Sequence, residues 1–161
     1  MLRREREITD EEGLRHVLDA SKVLYLGLTE DDQPYVLPMS YGYEWEDGHL
    51  ALYMHGARKG YKYDVIAKNP KVSFAMDCDR KPFAGDVACK YGMSYASVCG
   101  KGVASLVTDP GEKCRALTLL MATQTGQHFD FNEKLAGVVN VIRVDVTEFT
   151  GKRRPLPEEM K

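Results

Sequence analysis

The chain has 161 residues, about the length of one ordinary domain, and its 43% of hydrophobic residues can form a core without disulfides. Lys and Arg number 22 against 24 for Asp and Glu, a net charge of −2 that excludes a chain-wide basic surface for DNA or RNA. No apolar run reaches about 18 residues, which excludes a transmembrane helix.

The cysteines and the N-terminus predict a reducing compartment. Cys78, Cys89, Cys99 and Cys114 form no C-x-x-C pair, and no histidine stands at zinc-like spacing from two of them. The charged N-terminus lacks the apolar stretch of a signal peptide. We therefore expect reduced thiols, a cytoplasmic protein, no metal site, and neither a membrane nor a nucleic acid as partner.

The first third of the chain changes from helical to strand periodicity. A capping box with Thr9 as N-cap and Glu12 three residues later predicts a helix. From Val23 the apolar residues alternate, and residues 30–33 read as a hairpin turn. The strand that follows contains Pro38, which has no N–H to donate, so one side of this strand should be free or interrupted near its middle.

The rest of the chain adds short strands with inserted helices. After a strand over residues 49–55, a helix is predicted from Lys59 to Lys68, stopped by Asn69 and Pro70. Strands are predicted over residues 71–77, 94–107 and 139–149, an irregular segment over 78–93, and a helix after Asp109.

This pattern predicts one mainly β domain over residues 1–161, an antiparallel barrel with peripheral helices. Residues 1–7 and 153–161 are predicted to be frayed tails. A doubly wound fold would need a βαβ rhythm and a glycine-rich phosphate turn, and the sequence has neither.

Two stretches carry candidate chemistry. Arg58, Lys59 and Lys62 surround the predicted start of a helix, where cations are unfavourable unless an anion is bound, so they indicate either a phosphate site or a solvated basic turn. The proline-interrupted strand can hydrogen-bond the rim of a flat heterocycle and cover its face, or it is an ordinary edge strand. The residues of this stretch are Val36, Leu37, Pro38, Met39, Ser40 and Tyr41.

The order of these motifs resembles a known superfamily. P-x-S-Y is followed by H-G-A-x-x-G-x-K, a helix ending in N-P, then K-V-S-F, S-V-x-G-x-G and a late F-T-G-K. This order, over about residues 8–153, resembles the pyridoxamine 5′-phosphate oxidase-like FMN-binding split-barrel superfamily. Within that superfamily the sequence is most similar to the 5-nitroimidazole-resistance, nitroreductase-like flavoproteins.

The resemblance implies a homodimer of six-stranded split β-barrels with two FMN sites at the subunit interface. It implies that the stretch 36–41 lines the isoalloxazine ring and that Arg58, Lys59 and Lys62 hold the FMN phosphate. Ser97 should reach the phosphate or the ribityl chain. His55 matches the histidine that the nitroimidazole-resistance group places near the flavin and its substrate; the alternative is a histidine that merely ends a strand.

The resemblance also has a limit. Pyridoxamine phosphate oxidases end in an Arg-x-His segment that holds the substrate phosphate, whereas this chain ends with Gly151, Lys152, Arg153, Arg154 and Pro155. Oxidation of a B6 vitamer is therefore not expected.

The resulting hypothesis is an FMN-dependent oxidoreductase that passes electrons from NAD(P)H to a small acceptor such as a nitroaromatic compound, with His55 as its catalytic residue. Two alternatives remain open: a flavin-binding or sensing module without turnover, and the same barrel with haem or a deazaflavin.

Overall fold

The computed structural model describes residues 3–158 and contains seven strands and four α-helices in that range. Short 3-10 turns lie at Arg4–Arg6 and Ala88–Lys90. In chain order the elements are β1 (Glu7–Ile8), α1 (Glu11–Ala20), β2 (Val23–Glu30), β3 (Gln33–Glu46), β4 (His49–Gly56), α2 (Tyr61–Lys68), β5 (Lys71–Phe83), β6 (Gly92–Leu106), α3 (Pro110–Thr125), α4 (Glu133–Ala136) and β7 (Asn140–Arg154).

The strands form one antiparallel sheet that closes on itself. Its order is β1-β7-β4-β3-β2-β5-β6, and β6 also pairs with β7, so six strands complete a barrel and β1 lies beside β7. Closure removes most free strand edges. The predicted mainly β fold, an antiparallel six-stranded barrel of the split-barrel type, is confirmed.

The predicted β2–β3 hairpin turn and the predicted cap of α3 are both present, and the cap of α1 is shifted by one residue. Asp31 and Asp32 both have positive φ, 48° and 63°, as a two-residue β2–β3 hairpin requires. Asp109 caps α3 by accepting a hydrogen bond from the Glu112 amide at 2.7 Å, and Pro110 occupies the first helical turn. At α1 the cap is Asp10, one residue after the predicted Thr9.

The segment predicted to be irregular, residues 78–93, is strand over half of its length, so this prediction is wrong for residues 78–83 and 92–93. β5 continues to Phe83 and β6 begins at Gly92, which leaves only residues 84–91 as a connection. The alternation of side chains is lost because the register between the two strands shifts between Cys78 and Lys81. Such a bulge moves successive side chains off the expected faces.

The ordered strands also extend into the segments predicted to be frayed. Glu7 and Ile8 pair with Lys152 and Gly151, and β7 continues to Arg154 beside Tyr95. These backbone pairings hold the beginning and end of the described chain on the barrel. The predicted tail residues 1, 2 and 159–161 lie outside the described residues.

Two apolar clusters stabilise the fold. The larger fills the barrel with inward side chains of the strands and of α1 and α2, and the smaller lies between β4, β7 and α3. Helix α3 lies against β3 so closely that a methyl group on Gly42 would come within 2.3 Å of the Leu120 amide nitrogen. Among the described residues, no helix has the length and apolar character needed to cross a bilayer.

Candidate functional site

The first half of β3 has one free edge. Residues 33–40 pair with β2, where Pro38 lies opposite Tyr25, but pairing with β4 begins only at Tyr41, opposite Met54. The free or interrupted side that Pro38 predicts is therefore present. Backbone groups along this edge are available to a ligand, as in other recognition modes that use an unpaired strand edge.

Side chains of the predicted ring-lining stretch point to two different faces. Val36, Pro38 and Ser40 are exposed on the outside of the barrel, with 60% of the Val36 side chain accessible. Leu37 and Met39 point inward and pack against the main core. A flat ligand at the free edge would thus contact backbone groups and the outward side chains, while the inward ones hold the strand in place.

Tyr41 is placed in the core. Its side chain is fully buried, and its hydroxyl donates a hydrogen bond to the Leu18 carbonyl oxygen at 2.6 Å. Its own carbonyl accepts a hydrogen bond from the Gln124 side chain at 2.8 Å. Burial raises the pKa of this phenol far above its usual range. Within this chain the tyrosine side chain therefore anchors β3 to α1 rather than facing a ligand.

His55 and Gly56 lie where β3 and β4 diverge. Extending the β3–β4 register by one step places Ser40 across from His55, at the point where the pairing stops. His55 is exposed and pairs through its backbone position with Val141 of β7. An exposed imidazole next to a free strand edge can donate or accept a hydrogen bond with a bound molecule.

Helix α2 begins next to this divergence without a side-chain cap. Its N-cap is Gly60, whereas Asp10, Asp109 and Asn132 cap the other three α-helices of the described chain. The first amides of α2 are therefore free to bind an anion, and the helix dipole favours negative charge there. The helix starts at Tyr61, two residues later than predicted, because the uncapped glycine follows an extended loop.

Three cations surround this helix start. Arg58 and Lys59 are exposed and Lys62 is half-buried, and no carboxylate of the described residues forms an ion pair with any of them. The Asn140 side chain holds their loop by donating a hydrogen bond to the Arg58 carbonyl at 2.9 Å. Three unpaired cations at a positive helix end repel one another, so a bound anion would stabilise the arrangement.

The hydroxyl of Tyr63 adds an unsatisfied donor to the same place. Tyr63 is 7% exposed, its oxygen has no hydrogen-bond partner among the described residues, and burial raises its pKa. A methyl group on Gly56 would lie 2.7 Å from this oxygen and 3.1 Å from the Lys62 ammonium nitrogen. Gly56 therefore lets the β4 backbone pass close to this hydroxyl and to the Lys62 ammonium group, where a side chain would clash. An unpaired buried hydroxyl is costly unless a ligand satisfies it.

Ser97 lies at the other end of the barrel from these cations. On β7, Gly56 pairs with Asn140, whereas Ser97 pairs with Lys152, twelve residues further along the same strand. The Ser97 hydroxyl donates to the Lys152 carbonyl at 3.4 Å. A strand of that length spans roughly 40 Å at about 3.3 Å per residue before any bending. One chain therefore does not bring Ser97 to the cationic group.

A groove of about 520 Å³ lies on the outside of the barrel beside Val36, between β2, β3, β5 and β6. Val36 and Val103 are exposed apolar residues on its wall, and Lys71 and Lys101 are also part of its lining. The lining includes neither His55 nor the three cations.

Two residues of this site gave no signal in the sequence. Tyr63 reads as one more apolar residue of an amphipathic helix, and Asn140 as the first residue of a strand. Only the helix register and the β4–β7 pairing bring them to the cations. A tyrosine two residues after the helix start is too common to be a signal by itself.

Comparison with known proteins supports the motif-based resemblance. A model of the pyridoxamine 5′-phosphate oxidase family matches residues 10–153. A candidate 5-nitroimidazole antibiotic resistance protein from Bacteroides thetaiotaomicron has a similar structure, with 28% identity and a TM-score of 0.77, over 91% of this chain and 86% of the other. No protein of curated function matches the sequence at a significant level.

More distant structures share the fold alone. A FAD- and heme-binding protein from Mycobacterium smegmatis is 16% identical with a TM-score of 0.76, over 95% of this chain and 76% of the other. A FAD-binding protein from Mesorhizobium loti is 23% identical with a TM-score of 0.64, over 93% and 98%. The family model spans most of the chain, the motifs occur in order along the barrel, and the protein therefore belongs to the pyridoxamine 5′-phosphate oxidase family.

Proposed function

We propose that this protein binds FMN and acts as an oxidoreductase that passes electrons from NAD(P)H to a small acceptor, such as a nitroaromatic compound. The observation that carries the proposal is the anion site at the start of α2, directly beside the free edge of β3. An elongated molecule with a phosphate at one end and a flat polar ring at the other matches these two features.

The residues at the helix start fit a phosphate monoester. Arg58, Lys59 and Lys62 supply positive charge, the uncapped amides of α2 supply donors, and the Tyr63 hydroxyl supplies one more. Charge-assisted hydrogen bonds of this kind are about twice as strong as neutral ones. Because Gly56 has no side chain, the hydroxyl and the Lys62 ammonium group lie together against the β4 backbone, close to the helix start.

The β3 edge would hold the ring of the cofactor. Backbone groups between Val36 and Ser40 face no partner strand on that side, and they can bond the polar rim of the isoalloxazine. When bound, a flavin supplies hydride acceptance and electron transfer, and the protein supplies position and environment. The chain's contribution is to hold the ring edge in a fixed register next to His55.

The site needs a second copy of the chain, so the proposal includes a homodimer with FMN at the interface. Ser97 reaches a phosphate or ribityl chain only if it comes from the partner, because within its own chain it lies on β6 beside the far end of β7. Exposed apolar side chains on the outside of β2, β3 and β6 provide a surface for that contact: Val23, Tyr25, Val36 and Val103. We also propose a cytoplasmic location, because all four cysteines are free thiols.

His55 would act at the acceptor rather than on the cofactor phosphate. It is exposed at the strand divergence, on the side of β4 that leads to the ring-binding edge of β3. From there the imidazole can hydrogen-bond a bound acceptor or give it a proton as it is reduced.

Anaerobic mixing tests this function. The purified protein loaded with FMN should lose its oxidised flavin absorbance on addition of NADH or NADPH, and a nitroaromatic compound should restore it. His55→Gln should keep the FMN affinity of the parent protein and slow the reoxidation by about 100-fold, the lower end of a general acid's contribution. His49→Gln, a substitution of the exposed histidine at the opposite end of β4, is the matched control and should change neither rate.

Other outcomes assign the barrel to a different role. A flavin that binds but is not reduced by either nucleotide indicates a binding or sensing module. A Soret band in the purified protein, or selective uptake of FAD or a deazaflavin, overturns FMN as the cofactor.

The Tyr63 hydroxyl gives a prediction in which stability and binding change in opposite directions. In the flavin-free protein Tyr63→Phe removes an unsatisfied buried group, so we expect the free energy of unfolding in urea to rise by about 1 kcal/mol. FMN affinity should fall by about 10-fold, the contribution of one hydrogen bond to a charged acceptor. Tyr61→Phe is the control, because that exposed hydroxyl bonds Glu30 instead. A Tyr63→Phe protein that is less stable, or that binds FMN as tightly as the parent, would contradict this role.

A further inference from the structure

We propose that His16, Cys78 and Asp79 form a zinc site on the side of the barrel, with one open coordination position for water. The imidazole Nε2, the thiol sulfur and a carboxylate oxygen all lie within 4.8 Å of one another. None of the three residues belongs to the cationic group at α2 or to the free edge of β3, although Cys78 follows Asp77, the residue that pairs with Ser97 across β5 and β6.

The donor set suits zinc. Nitrogen, sulfur and oxygen ligands are the three types that Zn²⁺ binds in proteins, and three protein ligands leave a fourth tetrahedral position for water. Tetrahedral bonds of about 2.0–2.3 Å place ligand atoms about 3.5 Å apart. His16 and Asp79 are now 2.8 Å apart in a direct hydrogen bond, so they would separate slightly to admit the ion. Both side chains are about half exposed and free to do so.

The barrel holds two of the ligands in place through the β5 bulge. Asp79 has φ of +56°, an uncommon backbone conformation for a residue other than glycine, and it directly follows Cys78. The Ser94 hydroxyl on β6 lies 3.0 Å from the Asp79 carbonyl and 3.3 Å from the Lys81 carbonyl, which fixes both sides of the bulge. The bulge thereby turns the Asp79 carboxylate toward His16 on α1. Cys78 is still paired regularly with Ala96 of β6, just before the register shifts.

A second observation is an unsatisfied buried hydroxyl beside the Cys78 thiol, which keeps its proton in the metal-free protein because burial raises its pKa to about 11. The Ser21 hydroxyl is 1% exposed, lies next to the Cys78 thiol, and has no hydrogen-bond partner among the described residues. A buried O–H without an acceptor is costly, and a metal-bound thiolate would provide that acceptor. Hydrogen bonds from such neighbouring groups orient and tune metal ligands.

The surroundings allow a cation to enter. His16 and Asp79 line an open groove of about 440 Å³ together with Asp10 and Glu12, whose carboxylates attract positive charge. Arg153 lines the same groove, while Arg80 is paired with Asp77 at 2.9 Å. As zinc binds, the S–H bond of Cys78 breaks, a sulfur–zinc bond forms, and the proton passes to solvent. No electron is transferred in this step.

The sequence contains no zinc motif because the ligands come from distant segments. His16 lies on α1 and the other two residues lie on β5, 62 and 63 positions later. The expectation of no metal site was based on zinc motifs, in which cysteines and histidines are close together in the sequence. The ligands proposed here are far apart in the sequence and include an aspartate.

Metal titration of the whole protein tests the proposal. With the thiols reduced and metal removed, equilibrium dialysis against micromolar zinc should give one bound ion per chain. Cobalt should give a thiolate-to-metal charge-transfer band and intense tetrahedral d–d bands. The melting temperature should rise by roughly 5–10 °C when zinc is about 100-fold above its dissociation constant.

Variants distinguish zinc binding at this site from nonspecific zinc binding elsewhere on the protein. His16→Gln changes an exposed side chain and should lower zinc affinity at least 10-fold without unfolding the protein; Cys78→Ser should abolish the charge-transfer band. The control His128→Gln removes the other exposed His–Asp pair, which is 3.0 Å long and has no cysteine beside it. Cys89→Ser removes an exposed thiol elsewhere. No bound zinc under these conditions, or a charge-transfer band that survives Cys78→Ser, overturns the proposal.

Discussion

Replacing Arg58 and Lys62 together by alanine is expected to lower FMN affinity at least about 100-fold. Each hydrogen bond between a cation and a phosphate contributes about 1.5–3 kcal/mol, and each 1.4 kcal/mol is a factor of ten. The two residues act on one group, so their effects need not add. Quenching of flavin fluorescence during titration measures the affinity directly.

The fold should not change in this double variant. Both side chains lack ion-pair partners in the described chain, and Arg58 is exposed on a loop that Asn140 holds through a backbone carbonyl. The stability of the flavin-free protein should stay about the same, because removing two cations from a helix start offsets the loss of the Lys62 ammonium contact with the Tyr63 ring. The double variant should therefore differ from the parent protein only in its affinity for a ligand that carries a phosphate.

Lys134→Ala is the matched control, since Lys134 is an exposed lysine on α4 away from the site. Its FMN affinity should equal that of the parent protein. If the double variant also binds FMN unchanged, the start of α2 is not the phosphate site.

Tyr25→Glu is expected to convert a dimer into a monomer and to remove most FMN binding with it. Tyr25 is 46% exposed on the outside of β2, directly opposite Pro38 on the half of β3 that has a free edge. A carboxylate buried at an apolar interface without a partner is strongly unfavourable. Sedimentation analysis gives the mass, and a flavin titration of the same sample gives the binding.

Loss of the dimer should also remove FMN binding because of the position of Ser97. Its end of β6 and the cationic group lie beside opposite ends of β7 within one chain, so under the proposed function a site that uses both needs a second chain. The apolar outside of β2, β3 and β6 is the surface that such a pair would cover. Exposed apolar side chains of this number on neighbouring strands are typical of an interface.

Val138→Glu tests the same charge on an unrelated exposed valine, which is 67% accessible in the segment between α4 and β7. This variant should stay dimeric and bind FMN normally. A Tyr25→Glu protein that remains a dimer shows that the face is not the interface. A monomer that binds one FMN per chain with full affinity shows that the site is complete within one chain.

The architecture and the cationic group could be predicted because their signals are local. Alternation after Val23, the hairpin aspartates and the Asp109–Pro110 cap each depend on a few neighbouring residues. Pro38 indicates the free edge of β3, because proline has no N–H to donate to a partner strand. The cations around Gly60 were visible as charge at a helix start.

The remaining features depend on which strand lies beside which. Tyr41 lies on the same inward face as Leu37 and Met39, but only the packing of α1 against β3 shows that its ring is fully buried and that its hydroxyl bonds the Leu18 carbonyl. The register shift after Cys78 removes the periodic signal of a strand pair that is nevertheless formed. The unsatisfied Tyr63 hydroxyl has no sequence signature, because it exists only when Gly56 is folded against α2.

Comparison of FMN with riboflavin on the parent protein tests the central claim most directly. The two ligands share the ring and the ribityl chain and differ only in the phosphate. If the start of α2 holds that phosphate, FMN should bind at least about 100-fold more tightly than riboflavin, and the preference should largely disappear in the Arg58→Ala, Lys62→Ala double variant. Equal affinity for FMN and riboflavin in the parent protein, or no binding of either, would contradict the account.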